Sequence, residues 1–215
     1  MNKLLWFFGL LAAFLIPTVS SAQKLERTKN WEVGDKVTWN YVLQGKSMRL
    51  VDEVVEVTDD EVRSILQVGD HKTLEQTLSS RDLSARKGIC EPNGQACTFS
   101  PAWVWVDFPL GKGKTWSATS TVTGETFISE VAYQYRVEGV EEITTPAGHF
   151  DAYRVSGSER IESRNKLSGG PISHGTSSFT DWIASINGKV RVVKSEYHNS
   201  FGEVFTRELL AAELK

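Results

Sequence analysis

Val131, Tyr133, Tyr135 and Val137 alternate with Ala132, Gln134 and Arg136, and Glu138 continues the polar phase. A period of two belongs to a strand that packs one face on apolar material and shows the other to water. On a helix the same aromatic rings would be scattered around the circumference. Weaker copies of the pattern recur along the chain. Val37, Trp39 and Tyr41 alternate with Thr38 and Asn40, and β-branched runs follow at 49–57, 62–68 and 72–78. Turn chemistry separates the runs: Gln44-Gly45-Lys46, Thr58-Asp59-Asp60, Gly69-Asp70, Thr145-Pro146-Ala147-Gly148 and Asn187-Gly188. Strands at this spacing predict antiparallel neighbours. The expected fold is all-β and single-domain, an antiparallel curved sheet or incomplete β-barrel. Residues 163–178, with Gly169-Gly170-Pro171 and Gly175, read as a long irregular surface loop. Residues 209–215 fit a helix or a final strand equally well.

The first residues follow different rules. Lys3 precedes an apolar run from Leu4 to Ile16, Pro17 ends it, and Ser20-Ser21-Ala22 offers small residues for cleavage. That run is shorter than the roughly 20 residues a membrane-spanning helix needs. It therefore predicts a signal peptide over 1–22, a flexible leader over 23–30 and a β domain over 31–215. No later run has membrane length, so the mature chain is expected to be soluble and either periplasmic or secreted. With 24 basic and 27 acidic residues the net charge is −3. A mildly acidic chain without a basic stripe gives no footprint for nucleic acid.

The cysteine count agrees with export. Cys90 and Cys97 flank Pro92-Asn93-Gly94, a strong turn sequence. In an oxidising compartment they are expected to form a disulfide, worth roughly 2.5 kcal/mol for so short a loop. A metal pair is the rival reading, and neither the spacing nor a nearby His favours it.

Catalytic patterns are missing. His71, His149, His174 and His198 are scattered, and no H-E-x-x-H or G-x-S-x-G segment occurs. Asp59-Asp60 and Glu141-Glu142 are adjacent on the chain, so their side chains point to opposite faces of a strand and cannot form a glycosidase pair. Gly111-Lys112-Gly113-Lys114 lacks the spacing of a phosphate loop. Neither cofactor nor metal is expected. The aromatic residues are more informative. Trp103 and Trp105 are spaced to share one face of a strand, with Phe108 nearby. Together with Trp116, Tyr133 and Tyr135 they are either core filler or the lining of a pocket for an apolar or sugar ligand.

Three motifs occur in order: Phe108-Pro109-Leu110-x-x-Gly113-Lys114-x-Trp116, then Glu142 leading to Thr145-Pro146-Ala147-Gly148-x-Phe150-x-Ala152, then Trp182 with Gly188-Lys189-Val190. Over residues 103–209 this series resembles an uncharacterised family of exported bacterial β-proteins, a domain of unknown function. The resemblance implies a strongly curved antiparallel sheet in the bacterial envelope and favours the periplasm. It implies no activity.

The functional expectation is a non-enzymatic envelope protein holding a hydrophobic or lipid-like ligand inside the curve, at Trp103, Trp105, Trp116, Tyr133 and Tyr135. The alternatives are an assembly module that binds an envelope protein partner through a sheet edge or residues 163–178, and a hydrolase with a dispersed site.

Overall fold

A computed structural model describes residues 24–26, 31–69, 72–90, 95–170, 172–200 and 202–215. The expected signal peptide, the Pro92-Asn93-Gly94 turn, His71 and Pro171 lie outside the described residues. Among the described residues twelve strands follow one another: β1 Lys36–Leu43, β2 Lys46–Val57, β3 Glu61–Val68, β4 Lys72–Ser79, β5 Ala85–Cys90 and β6 Gln95–Trp103 form the first half. The second half comprises β7 Thr115–Thr123, β8 Phe127–Thr145, β9 Gly148–Asn165, β10 Ser173–Ile186, β11 Lys189–Asn199 and β12 Val204–Glu213. Each strand pairs antiparallel with its sequence neighbours, and β1 pairs with β12 to close the sheet into a barrel.

The fold class is the one the alternation predicts, with its curvature carried to full closure. Closure joins Lys36 to Glu213 and Leu43 to Phe205, so residues 209–213 are strand. Closing the sheet removes the free edge on which an edge-docking partner would depend. The segment read as an irregular loop over 163–178 is instead mostly ladder, because β9 runs to Asn165 and β10 starts at Ser173. Period-2 patterning is weak there, and Gly and Ser residues hid the strands. Only 166–172 connects them, with Leu167 80% and Ile172 58% exposed.

Antiparallel succession puts alternate turns at opposite ends. The β1–β2, β3–β4, β5–β6, β7–β8, β9–β10 and β11–β12 connections share one end, called here the mouth. The other end is the floor, which carries the remaining turns and the β6–β7 connection. Along β8 the outward residues Glu130, Ala132, Gln134, Arg136 and Glu138 are polar or small, and the inward ones are buried. On β8 this alternation is the reverse of the lipid-facing pattern of a membrane-spanning strand. Among the described residues no helix is long and apolar enough to cross a membrane.

Barrel diameter grows with strand number, and about eight strands already leave an interior that side chains just fill. Twelve strands need more, and the floor supplies it. Residues 104–114 place Val106 and Leu110, 1% and 0% exposed, in the same core as Trp31, Tyr135 and Val137. Leu25 N donates to Leu110 O at 3.1 Å and Leu110 N returns the bond to Leu25 O at 3.0 Å. This part of the expected flexible leader is therefore docked on the floor. The first motif is the chemistry of that plug. Gly113 takes φ +83° and donates to Val137 O, and Lys114 Nζ binds Asp107 O at 2.6 Å and Pro109 O at 3.1 Å. At the second motif, the β8–β9 hairpin runs past the barrel rim. Its Ala147 N donates to Leu209 O, and Ile143, Ala147 and Phe150 pack with Ala152, Trp182, Ala184 and Val193 in a second core. At Asn187-Gly188 both residues have positive φ, 53° and 82°, as a type I′ hairpin requires.

Candidate ligand-binding site

The barrel encloses a cavity of about 510 Å3 to which all twelve strands contribute lining residues. That volume lies within the range of small-molecule sites, about 300–1,000 Å3. It reaches the mouth at Phe127, Ser163 and Phe205, which are partly exposed, and extends to Trp105 and Val190 near the floor.

One wall is aromatic. Trp103 stacks on Tyr133 with ring centres 5.0 Å apart, and Phe99 tilts against Trp103 at 5.5 Å. Such pairs contribute about 0.5–1.5 kcal/mol each beyond their burial. Polar atoms on these rings are satisfied sideways. Trp103 Nε1 donates to Tyr135 Oη at 2.6 Å, and Trp105 Nε1 donates to Leu83 O at 2.6 Å. Gly157 makes room for the wall: it pairs with Tyr135 on one side and Phe179 on the other, and Phe179 lies over the place a side chain would take.

Of the five aromatic residues singled out by sequence, Trp103, Trp105 and Tyr133 line the cavity. Trp116 and Tyr135 lie behind it, stacked face to face at 4.6 Å. Trp103 and Trp105 do not share a strand face, because β6 ends at Trp103 and Trp105 belongs to the plug. The Cys90–Cys97 disulfide is formed, and Cys90 also lines the cavity.

The other walls carry polar residues that the sequence reading missed. Tyr197 donates to Glu159, and Ser177 lies 2.6 Å from the Tyr197 hydroxyl. Ser195 Oγ donates to Asp181 Oδ1 at 2.5 Å, and Arg207 Nη2 donates to Ser195 Oγ at 3.0 Å. Burial pushes the Glu159 and Asp181 carboxyls above their ordinary values, against the hydroxyl bonds and, at Asp181, the Arg207 charge. Burial also raises Tyr133 and Tyr197, with Glu159 adding to both.

Asp52, 4% exposed, lies in the same lining. Burial lifts its pKa to about 6, although a bond from Ser64 and the charges of Arg191 and Arg207 oppose the rise. Arg191, 2% exposed, is brought down to about 10 by burial despite Asp35 and Asp52. Its guanidinium sits 3.6 Å from the Trp31 ring, and that of Arg207 sits 5.4 Å from Trp39. Asp52 Oδ1, Arg191 Nε and Arg207 Nε are buried with no hydrogen-bond partner among the described residues.

A signal for these groups exists in the sequence. Leu50-x-Asp52-x-Val54, Phe179-x-Asp181-x-Ile183 and Phe205-x-Arg207-x-Leu209 each put a charge in the apolar phase of an alternating strand. The side chain then points inward with its neighbours.

Below this layer lies a structural ion cluster. Lys189 and Asp35, both 0% exposed at the side chain, pair with Nζ 2.8 Å from each carboxylate oxygen. Glu32 N and Lys215 N each donate to Asp35 at 3.0 Å. Burial opposes ionisation of Asp35, yet the bonds from Lys189, Glu32 and Lys215 outweigh it and hold the carboxyl below its ordinary value. The third motif thus supplies the cation that ties the segment before β1, and through Asp35 the C-terminal Lys215, to β11.

With this geometry in view, comparisons with known proteins are informative on fold. The chain resembles the DUF3108-like family over its second half. That family model matches residues 117–210, from β7 to β12, which is under half of the chain and an uncharacterised family. A presumed exported protein of Bacteroides fragilis with a YmcC-like fold aligns at a TM-score of 0.52 and 15% identity, over 87% of this chain and 99% of its own. A presumed lipoprotein of Parabacteroides distasonis aligns at 0.50 and 14% identity, over 89% and 100%. No curated protein matches in sequence. At such identities the likeness concerns the fold alone.

The described histidines lie elsewhere. His174 and His198 are exposed near the mouth, and His149 Nδ1 shares a hydrogen bond with Thr144 Oγ1 at 2.9 Å on the β8–β9 hairpin. None of the three lines the cavity. Among the described residues no cluster of three His, Cys, Asp or Glu is arranged to hold a metal.

Proposed function

We propose that this is an envelope protein, periplasmic or secreted, whose barrel lumen holds a hydrophobic, lipid-like molecule without chemical change. The observation carrying this reading is the cavity of about 510 Å3 with its wall of Phe99, Trp103 and Tyr133. Water confined against such a wall forfeits hydrogen bonds, so an apolar chain that displaces it gains the free energy of burial, about 25 cal/mol per Å2. The exported proteins and lipoproteins among the structural relatives, together with the signal-like sequence 1–22, support an envelope location.

Binding of the fluorescent fatty acid cis-parinaric acid provides the test. The wild-type chain should bind it with enhanced emission, and Val131→Trp, which fills the lumen, should abolish the signal while retaining the β-sheet circular dichroism. Equal binding by both proteins would place the probe outside the lumen and end the proposal.

A further inference from the structure

Resting on that reading, we propose that Arg191, Arg207 and Asp52 form a head-group subsite that takes the carboxylate of an amphiphile whose acyl chain lies along the aromatic wall. The topology separates the two ends of such a ligand. Asp52 belongs to β2, Arg191 to β11 and Arg207 to β12, which with β1 form one contiguous arc of the barrel. Phe99, Trp103 and Tyr133 come from β6 and β8, on the opposite arc. One cavity joins them.

Charge and hydrogen-bonding capacity specify the head. Both guanidinium groups lie over tryptophan rings, Arg191 on Trp31 and Arg207 near Trp39. Each retains a buried Nε with no partner among the described residues. A buried cation needs an opposite charge or a strong acceptor. Asp35 pairs with Lys189 at 2.8 Å and with Arg191 Nη2 at 3.5 Å, and Glu32 lies 3.2 Å from Lys189, all without engaging the Arg191 Nε. Glu159 and Asp181 are bonded to hydroxyls, and burial favours their neutral forms. Asp52 faces both arginines, and no carboxylate engages either Nε among the described residues. A ligand carboxylate supplies a negative charge and two oxygens suited to these open guanidinium N–H groups. An ester head offers an acceptor without the charge, and an ammonium head meets two cations.

Titration calorimetry of the purified full chain with myristate, methyl myristate and tetradecylamine separates these cases. Wild-type protein should bind myristate about tenfold more tightly than the methyl ester, the scale of one charge-assisted bond, and tetradecylamine most weakly. Arg207→Gln should remove the preference for myristate over the methyl ester. Equal binding of all three probes by wild type would overturn the subsite and leave the lumen reading standing. Preference for tetradecylamine would overturn the subsite as well. Failure of every probe to bind would overturn the lumen reading itself and this proposal with it. The wild-type series decides the matter even where the variant fails to fold.

Discussion

Replacing Asp52 with Asn should stabilise the protein at neutral pH and leave it unchanged in acid. The Asp52 carboxyl titrates near 6 in the fold, against an ordinary value of 3.8, because burial outweighs Ser64, Arg191 and Arg207. The folded state therefore favours the protonated form. Stability associated with that proton is complete below about pH 4 and is lost as pH rises through about 6. The loss amounts to about 3 kcal/mol above pH 7. Asn keeps the shape of the neutral acid and carries no such penalty. For a chain of this length about 3 kcal/mol corresponds to about 6–12 °C in Tm. Thermal unfolding followed by circular dichroism at pH 4, 6 and 7.5 should show the variant matching wild type at the first, then gaining progressively. A variant less stable than wild type at pH 7.5 would refute the reasoning, since ionised Asp52 would then be a net stabilising partner of the two arginines. A stabilising substitution in a proposed binding site fits the common trade of stability for function.

Lys189→Met should cost about 3–5 kcal/mol in urea unfolding, because it leaves the Asp35 carboxylate buried without its cation. Adding Asp35→Asn should recover part of that loss, and no recovery would show that the pair is not the cause. Because the Asp35 carboxyl is held below its ordinary value, its contribution is present above 3.8 and is lost as pH falls through the folded value. Acid unfolding of Asp35→Asn should accordingly be less steep than wild type below that point. Gly157→Ala should destabilise by about 1–3 kcal/mol, since the new Cβ would meet Phe179 Cζ at 2.1 Å and Gln134 O at 2.8 Å. An unchanged urea midpoint would contradict that contact. Replacing Cys90 and Cys97 together with Ser should cost roughly 2.5 kcal/mol, checked by the same unfolding with wild type in its oxidised form.

Local chemistry was legible in the sequence, and long-range chemistry was not. The Val131–Tyr133–Tyr135–Val137 alternation, the Asn187-Gly188 turn and the facing cysteines each act over a few residues, and the strands, hairpin and disulfide follow from them. Closure depends on pairing Lys36 with Glu213, and no local pattern encodes a register between such distant strands. The plug was obscured for a related reason. Trp103 to Leu110 has the apolarity of a strand, and only the need to fill a twelve-stranded interior turns residues 104–114 across the floor. Charges explain the rest. Arg191 and Lys189 sit in a β-branched run, and Asp35 that completes their cluster is more than 150 residues away, as the separation of 154 between Asp35 and Lys189 shows. Asp52, Asp181 and Arg207 did break the phase of their strands, and reading that break as inward-facing polarity finds them without coordinates.

The most direct measurement is native mass spectrometry of the protein purified gently from its host, with an organic extract analysed in parallel. The lumen account expects a discrete mass excess that matches an extracted carboxylate amphiphile and disappears in Val131→Trp. A bare chain mass carrying one disulfide, with nothing specific in the extract, would contradict it.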